Sequence, residues 1–247
     1  MFKVKSTGGK VDSTHKVLLY AHHGFGKTYQ CRFFEKRYGK GLILSGESGL
    51  KSVEDVSIDF VPFSSWDGVH DPDAGIYSFR EILTDLIMGV GKDDFPYSWI
   101  ALDSLTELGD QVLAHSEKEN EHNTNAFDVW KDYKRIMIGT LKMIRDMPIH
   151  VYVTCLAKEE ADHNGVNHYW PNVEGRAVGK QIPAIFDHVF CGVRSTDKSD
   201  NTVKVTRHII TEEVDGWHGK VRDPLNALAP REKVSDITEL LVKIQGE

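Results

Sequence analysis

Apolar residues fall into short dense runs, separated by longer stretches in which they recur every three or four positions. Val17 to Tyr20, Leu42 to Leu44, Trp99 to Leu102, His150 to Thr154 and Val189 to Val193 have the length and continuity of strands buried on both faces. Helical spacing predicts helices over Thr28–Tyr38, ended by Gly39 and Gly41, and over Tyr77–Met88 through Phe79, Ile82, Leu83, Leu86 and Ile87. Ser104-Leu105-Thr106-Glu107 has the form of a capping box, and Leu105, Leu108, Val112 and Leu113 supply the apolar face of the helix it opens. A polar stretch from Glu117 to Asn125 is expected to loop out before a helix over Phe127–Arg145.

Strands alternating with helices imply right-handed crossovers and a mostly parallel central sheet flanked by helices. Val56 to Phe63 alternates enough to be a further strand, with Pro62 marking its end or an edge. The last third is richer in strands. Asn164-Gly165 predicts a hairpin, Gly179–Phe186 a short helix, and Val203–Ile210, after a turn at Asp200-Asn201, an antiparallel strand at the sheet edge. Ser235 is expected to cap a final helix carrying Ile237, Leu240, Leu241 and Ile244 on one side. The fold class is α/β, and residues 1–247 read as a single domain, with an extension over 1–16 and a loop over 157–181.

A net charge of −7 argues against a globally basic nucleic-acid binder, so any contact to a phosphate backbone must come from a local patch or one repeated by assembly. Met1 to Lys16 has neither an apolar signal core nor an Arg-rich amphipathic pattern, and no run approaches membrane-spanning length. A soluble, intracellular chain is expected. Cys31, Cys155 and Cys191 lack CxxC spacing, which disfavours disulfides and zinc alike.

Candidate chemistry centres on Ala21-His22-His23-Gly24-Phe25-Gly26-Lys27-Thr28, directly after the first strand. It matches the phosphate-loop pattern GxxxxGK[ST] except at its first position, where Ala21 stands for glycine. The order of residues follows from the ligand. Backbone N–H groups must converge on a polyanion, so Gly24 and Gly26 allow an approach that a side chain would block. Lys27 would reach the β- and γ-phosphates and the Thr28 hydroxyl a magnesium ion, so His23 to Tyr29 form the expected nucleotide-binding set. Ala21 is tolerable if its φ is negative.

A phosphate loop alone makes a binder rather than an enzyme, because phosphoryl transfer also needs metal positioning and an oriented water. Asp103, at the end of an apolar strand, is the candidate metal carboxylate; its alternative role is a helix-start aspartate. Glu47, just beyond the strand that follows the first helix, can orient or deprotonate water. Thr154 is either a γ-phosphate sensor or a buried hydroxyl bonded to backbone. Lys220 and Arg222, on one face of a strand, are either cations offered to a neighbour's γ-phosphate or solvated edge charges.

With Gly26-Lys27-Thr28, Glu47, the run Ile100-Ala101-Leu102-Asp103-Ser104 and Lys220-Val221-Arg222 in place, the chain resembles the RecA-fold ATPases. More narrowly it is similar to the compact phage-encoded RecA-like proteins that include single-strand annealing recombinases, over Val17 to about Leu228. Where such recombinases often carry glutamine after the fourth strand, this chain has Thr154-Cys155-Leu156. The resemblance implies ATP and Mg2+ as ligands and ATP-dependent binding to single-stranded DNA in recombination, annealing or replication. It also implies head-to-tail assembly into a ring or filament with Lys220 and Arg222 acting on the adjacent subunit, a single-strand DNA-binding protein as a further partner, and the cytoplasm of a bacterial host. A nucleotide-gated scaffold and a helicase-like motor share the same pocket. In the segment after the fourth strand, Lys158, Tyr169, Trp170, Arg176 and Lys180 interleave cations with aromatics, which suits stacked, unpaired bases; packing of Tyr169 and Trp170 on the domain is the alternative.

Overall fold

The computed structural model describes residues 13–47, 49–123, 125–199 and 202–246. In chain order the elements are β1 (Lys16–Ala21), a 3-10 turn (Thr28–Gln30), α1 (Cys31–Tyr38), β2 (Gly41–Ser45), a second 3-10 turn (Gly49–Val53), β3 (Asp59–Pro62), α2 (Phe79–Gly89), β4 (Trp99–Asp103), α3 (Leu105–Glu119) and α4 (Ala126–Arg145). There follow β5 (His150–Ala161), β6 (Asn167–Pro171), α5 (Arg176–Gln181), β7 (His188–Ser199), β8 (Thr202–Ile210), β9 (Glu213–Val214), β10 (Trp217–His218), β11 (Arg231–Lys233) and α6 (Thr238–Gln245).

The main sheet runs β11-β8-β7-β1-β5-β4-β2-β3. From β7 to β3 every pairing is parallel, and β8 and β11 are added antiparallel at one edge. The apolar runs are continuous because both faces are covered. Along β1, Leu18 and Tyr20 join the core under α2, α3 and α4, whereas Val17, Leu19 and Ala21 join Phe34 of α1 and Leu240, Leu241 and Ile244 of α6 on the other face. The end of β5 leaves this sheet and pairs antiparallel with β6, which pairs with β10, and β10 with β9. Tyr20 ties this small sheet to β1: its hydroxyl donates to the Tyr169 carbonyl at 3.0 Å and accepts from the His218 N–H at 2.9 Å.

Several boundaries differ from the sequence expectation. The strand over Val56–Phe63 shortens to β3, an edge strand that does end at Pro62. Within segment 157–181, expected as a loop, the hairpin at Asn164-Gly165 is present and its arms are paired strands: β5 runs on to Ala161, Gly165 takes φ +78°, and the Asp162 carboxylate accepts from the Asn164 and Val166 N–H groups. The short helix begins at Arg176, ahead of Gly179. Ser235 does not cap the last helix, whose N-cap position is Ile237; the Asp236 carboxylate accepts from the Thr238 N–H at 2.8 Å, and the Ser235 carbonyl accepts from the Gln30 amide. The turn at Asp200-Asn201 and residues 1–12 of the extension lie outside the described residues, and Lys16 belongs to β1. Among the described residues no helix is long and apolar enough to cross a membrane.

Candidate nucleotide site

The phosphate loop links the end of β1 to α1. Gly24 and Gly26 have φ of +70° and +100°, which L side chains rarely adopt, so glycine is required at both. Ala21 is not among the positive-φ residues, and it lies opposite Gly192 of β7. A Cβ on Gly192 would come within 2.8 Å of the Ala21 Cβ and 2.7 Å of the Phe25 ring. The missing glycine of the motif is thus compensated across the ladder, and Phe25 is buried as an anchor for the loop. The Lys27 ammonium donates to the Ala21 carbonyl at 3.1 Å and the His22 carbonyl at 3.4 Å, and the Tyr152 hydroxyl donates to the Lys27 carbonyl at 2.8 Å. Burial lowers the Lys27 pKa, and the Glu47 and Asp103 carboxylates oppose the shift. His23 is exposed, and Tyr29 lies at the surface with the Arg32 guanidinium 4.1 Å from its ring centre. A cleft of about 430 Å3 opens beside the loop, lined by Phe25, Gly26, Tyr29, Gln30, Arg207 and Ser235 among others.

The strand order places β5 between β1 and β4, so the phosphate loop and Asp103 face each other across one strand. The Thr28 hydroxyl donates to Asp103 Oδ2 at 2.8 Å, and the Thr154 hydroxyl, on the intervening strand, donates to Oδ1 at 2.5 Å. Thr154 is therefore a buried hydroxyl that orients the carboxylate. Asp103 is 1% exposed, and burial raises its pKa despite those two hydrogen bonds, with Glu47 adding to the rise and Lys27 opposing it. A buried, acceptor-only carboxylate beside a threonine hydroxyl is the donor set of a hard divalent cation. The space fits as well. A Cβ on Gly49 would sit 3.3 Å from Thr28 Oγ1 and 3.7 Å from Asp103 Oδ2, so glycine there leaves the cradle open.

Glu47 follows β2, whose last residue Ser45 pairs with Asp103. The Gly46 N–H donates to the Asp103 carbonyl at 2.8 Å and the Ser45 hydroxyl to the Glu47 carbonyl at 2.8 Å, fixing the turn. Ser104, joined to Asp103 by a cis peptide, hydrogen bonds through Oγ to the Glu47 carboxylate and also accepts from the Glu107 N–H as the cap of α3. Glu47 itself is exposed, and its charge acts on both the Asp103 carboxylate and the Lys27 ammonium.

Lys220 and Arg222 lie elsewhere. Lys220 bridges Val189 at the start of β7, and its ammonium donates to the Phe186 carbonyl at 2.7 Å and the Pro183 carbonyl at 3.2 Å. Arg222 lies 3.2 Å from Asp187. Both are at the opposite end of β1 from its own phosphate loop, so a role on a triphosphate could only be toward another subunit's.

Of the other candidates, Lys158, Trp170, Arg176 and Lys180 line one narrow crevice of about 10 Å3 on the small sheet. Trp170 stacks on His218 with ring centres 3.5 Å apart and lies 5.0 Å from the Lys180 ammonium, while Tyr169 stacks on Trp217 at 4.3 Å. The two rings thus pack on the domain. Glu160 sits 3.0 Å from Arg176, off the line of a hydrogen bond, and 4.0 Å from Lys158. His22, adjacent to the loop, meets Tyr169 and Trp217 edge-on.

Sequence reasoning passed over Ser104 as a partner of Glu47, Gly49 and Gly192 as space-keepers, and two arginines beside the loop, Arg194 and Arg207. Ser104 was visible only as a cap. The others depend on which strands become neighbours, which no local pattern reports.

Among solved structures, the KaiC-like protein PH0186 from the hyperthermophilic archaeon Pyrococcus horikoshii OT3 is similar over 82% of this chain and 80% of its own, at 15% identity and a TM-score of 0.41. The flagellar accessory protein FlaH from Methanocaldococcus jannaschii is similar over 88% of this chain and 84% of its own, at 10% identity and a TM-score of 0.40. No curated protein matches. The family model described as AAA domain matches residues 13–222, most of the chain, and with a phosphate loop and its facing carboxylate at the ends of parallel strands the chain belongs to that family.

Proposed function

We propose that this chain is a magnesium-dependent ATPase that binds single-stranded DNA and acts in phage recombination, annealing or replication. One contact carries the ATPase part: the Thr28 hydroxyl on the Asp103 carboxylate at 2.8 Å, which joins the phosphate loop to the carboxylate that ends β4. Thr28 and Asp103 would hold Mg2+, which neutralises charge on the triphosphate when bound. Lys27 exchanges the carbonyls of Ala21 and His22 for phosphate oxygens. Glu47, held by Ser104, orients the attacking water and takes its proton.

ATP hydrolysis measured with and without single-stranded DNA tests this. Lys27→Ala should abolish turnover, and Glu47→Gln should lower kcat by about 10²- to 10⁴-fold while ATP still binds. Unchanged hydrolysis in either variant overturns the site. Binding of ATP without turnover in the unaltered chain would make it a nucleotide-gated scaffold instead.

The DNA part is supported by Lys158, Arg176 and Lys180 lining one crevice with Trp170, whose ring centre lies 5.0 Å from the Lys180 ammonium. Binding of a labelled single-stranded oligonucleotide in the presence of ATP, weakened by Arg176→Ala with Lys180→Ala, is the expected result. No detectable binding would remove the recombination reading and leave the ATPase.

A further inference from the structure

We propose that Arg194 is a ligand of the triphosphate supplied by the same chain, with Arg207 fixing the loop beneath it. The inference rests on the nucleotide reading above. Arg194 on β7 and Arg207 on β8 are directly paired across an antiparallel ladder, and both are exposed. Like charges directly opposite one another destabilise such a pair, so their juxtaposition calls for an anion. No carboxylate supplies one: neither guanidinium has an ion pair among the described residues.

The two arginines differ in what they do. Arg207 Nε donates to the Phe25 carbonyl at 2.8 Å and so is a loop-positioning residue. Arg194 makes no such bond, yet its Nη1 lies 3.3 Å from where a Cβ on Gly24 would be. Gly24 is exposed and in the left-handed region, on the loop that must wrap the phosphates. A guanidinium fork held over that glycine would present paired N–H donors to oxygens of a phosphate wrapped by the loop. The position follows from the sheet. β7 is the neighbour of β1, so a long β7 carries Arg194 past the end of β1 to the level of the loop. Lys220 and Arg222, by contrast, lie below it.

Calorimetric titration with Mg·ATP, together with melting temperatures without nucleotide, tests the assignment on the full chain and on Lys27→Ala, Arg194→Ala, Arg194→Lys and Lys204→Ala. Arg194→Ala should weaken Mg·ATP binding on the order of 10- to 100-fold. Its ligand-free melting temperature should be unchanged or raised, since one of two facing charges is gone. Arg194→Lys should recover part of the affinity, and Lys204→Ala, a charge removed from the same hairpin, should bind as the unaltered chain does. Three results overturn the assignment alone: Arg194→Ala binding Mg·ATP normally while Lys27→Ala does not, Lys204→Ala losing as much as Arg194→Ala, or a lowered ligand-free melting temperature in Arg194→Ala. If Arg194→Ala loses oligonucleotide but keeps Mg·ATP, the anion is a DNA phosphate and the assignment is likewise wrong. Failure of the unaltered chain to bind Mg·ATP removes the nucleotide reading itself.

Discussion

Asp103 holds a charge that the folded chain alone does little to welcome. Burial raises its pKa above the ordinary 3.8, so the folded state binds the carboxyl proton more tightly than the unfolded state does. From about 3.8 up to the folded value, the folded chain therefore carries more proton, and this group's contribution to stability falls as pH rises through that window. Below it both states are protonated and the penalty disappears. Above it the penalty is complete, and a bound divalent cation is what offsets it. Asp103→Asn keeps the shape and removes the charge, and the Thr28 and Thr154 hydroxyls can rotate to meet an amide. The expected outcome is a ligand-free melting temperature at neutral pH that equals or exceeds that of the unaltered chain, with a flatter profile above about pH 4. Mg·ATP should then give the variant no extra stability. A variant that melts lower at neutral pH and still gains from Mg·ATP would show that the carboxylate is structural.

Individual elements explain what was legible and what was not. β1, β2, β4 and the first half of β5 were legible because burial on both faces leaves an unbroken apolar run, and α2, α3 and α4 because each buries one stripe. The outer half of β5 carries Lys158, Glu159 and Glu160, which pattern as loop, and only pairing with β6 makes it a strand. α5 is too short to show a period, and Ser235 and Asp236 are both good caps within one turn. In the site, Lys27, Thr28 and Asp103 were legible from local motifs, whereas the Ser104 to Glu47 bond and the place of Arg194 require strand adjacency. Gly192 shows the difference in energetic terms. Gly192→Ala puts a methyl group 2.7 Å from the Phe25 ring and 2.8 Å from Ala21, and overpacking of that kind costs about 1–3 kcal/mol. Gly139→Ala, in α4 with open space around it, should have the opposite sign and stabilise by about 0.5–1 kcal/mol. Urea midpoints measure both, and only Gly192→Ala should also weaken Mg·ATP binding, because Phe25 is the foot of the phosphate loop. Equal urea midpoints in the two variants would mean that β7 yields to the methyl group and that the loop is not anchored there.

At the scale of the whole molecule, a net charge of −7 must be reconciled with a polyanionic partner. Long-range attraction is ruled out as the source of affinity, which leaves the cleft of Lys158, Arg176 and Lys180 to act at short range within the Debye length. Its cations are partly spoken for. Glu160 stands 3.0 Å from Arg176 and 4.0 Å from Lys158, so a phosphate must compete with a carboxylate already in place. For single strands each neutralised phosphate contributes about −0.7 to the slope of log affinity against log salt. A cleft using all three cations should therefore show a slope of roughly −2, and Arg176→Ala with Lys180→Ala should reduce it to roughly −0.7. Glu160→Gln separates this cleft from general charge. Removing that one carboxylate releases Lys158 and Arg176 locally, so it should tighten oligonucleotide binding, whereas Glu239→Gln, an equal change in net charge on α6, should not. If the two glutamine variants respond alike in a fluorescence anisotropy titration across salt, the DNA is not held at Trp170. The single strand must then be sought on another face, or brought by another copy of the chain.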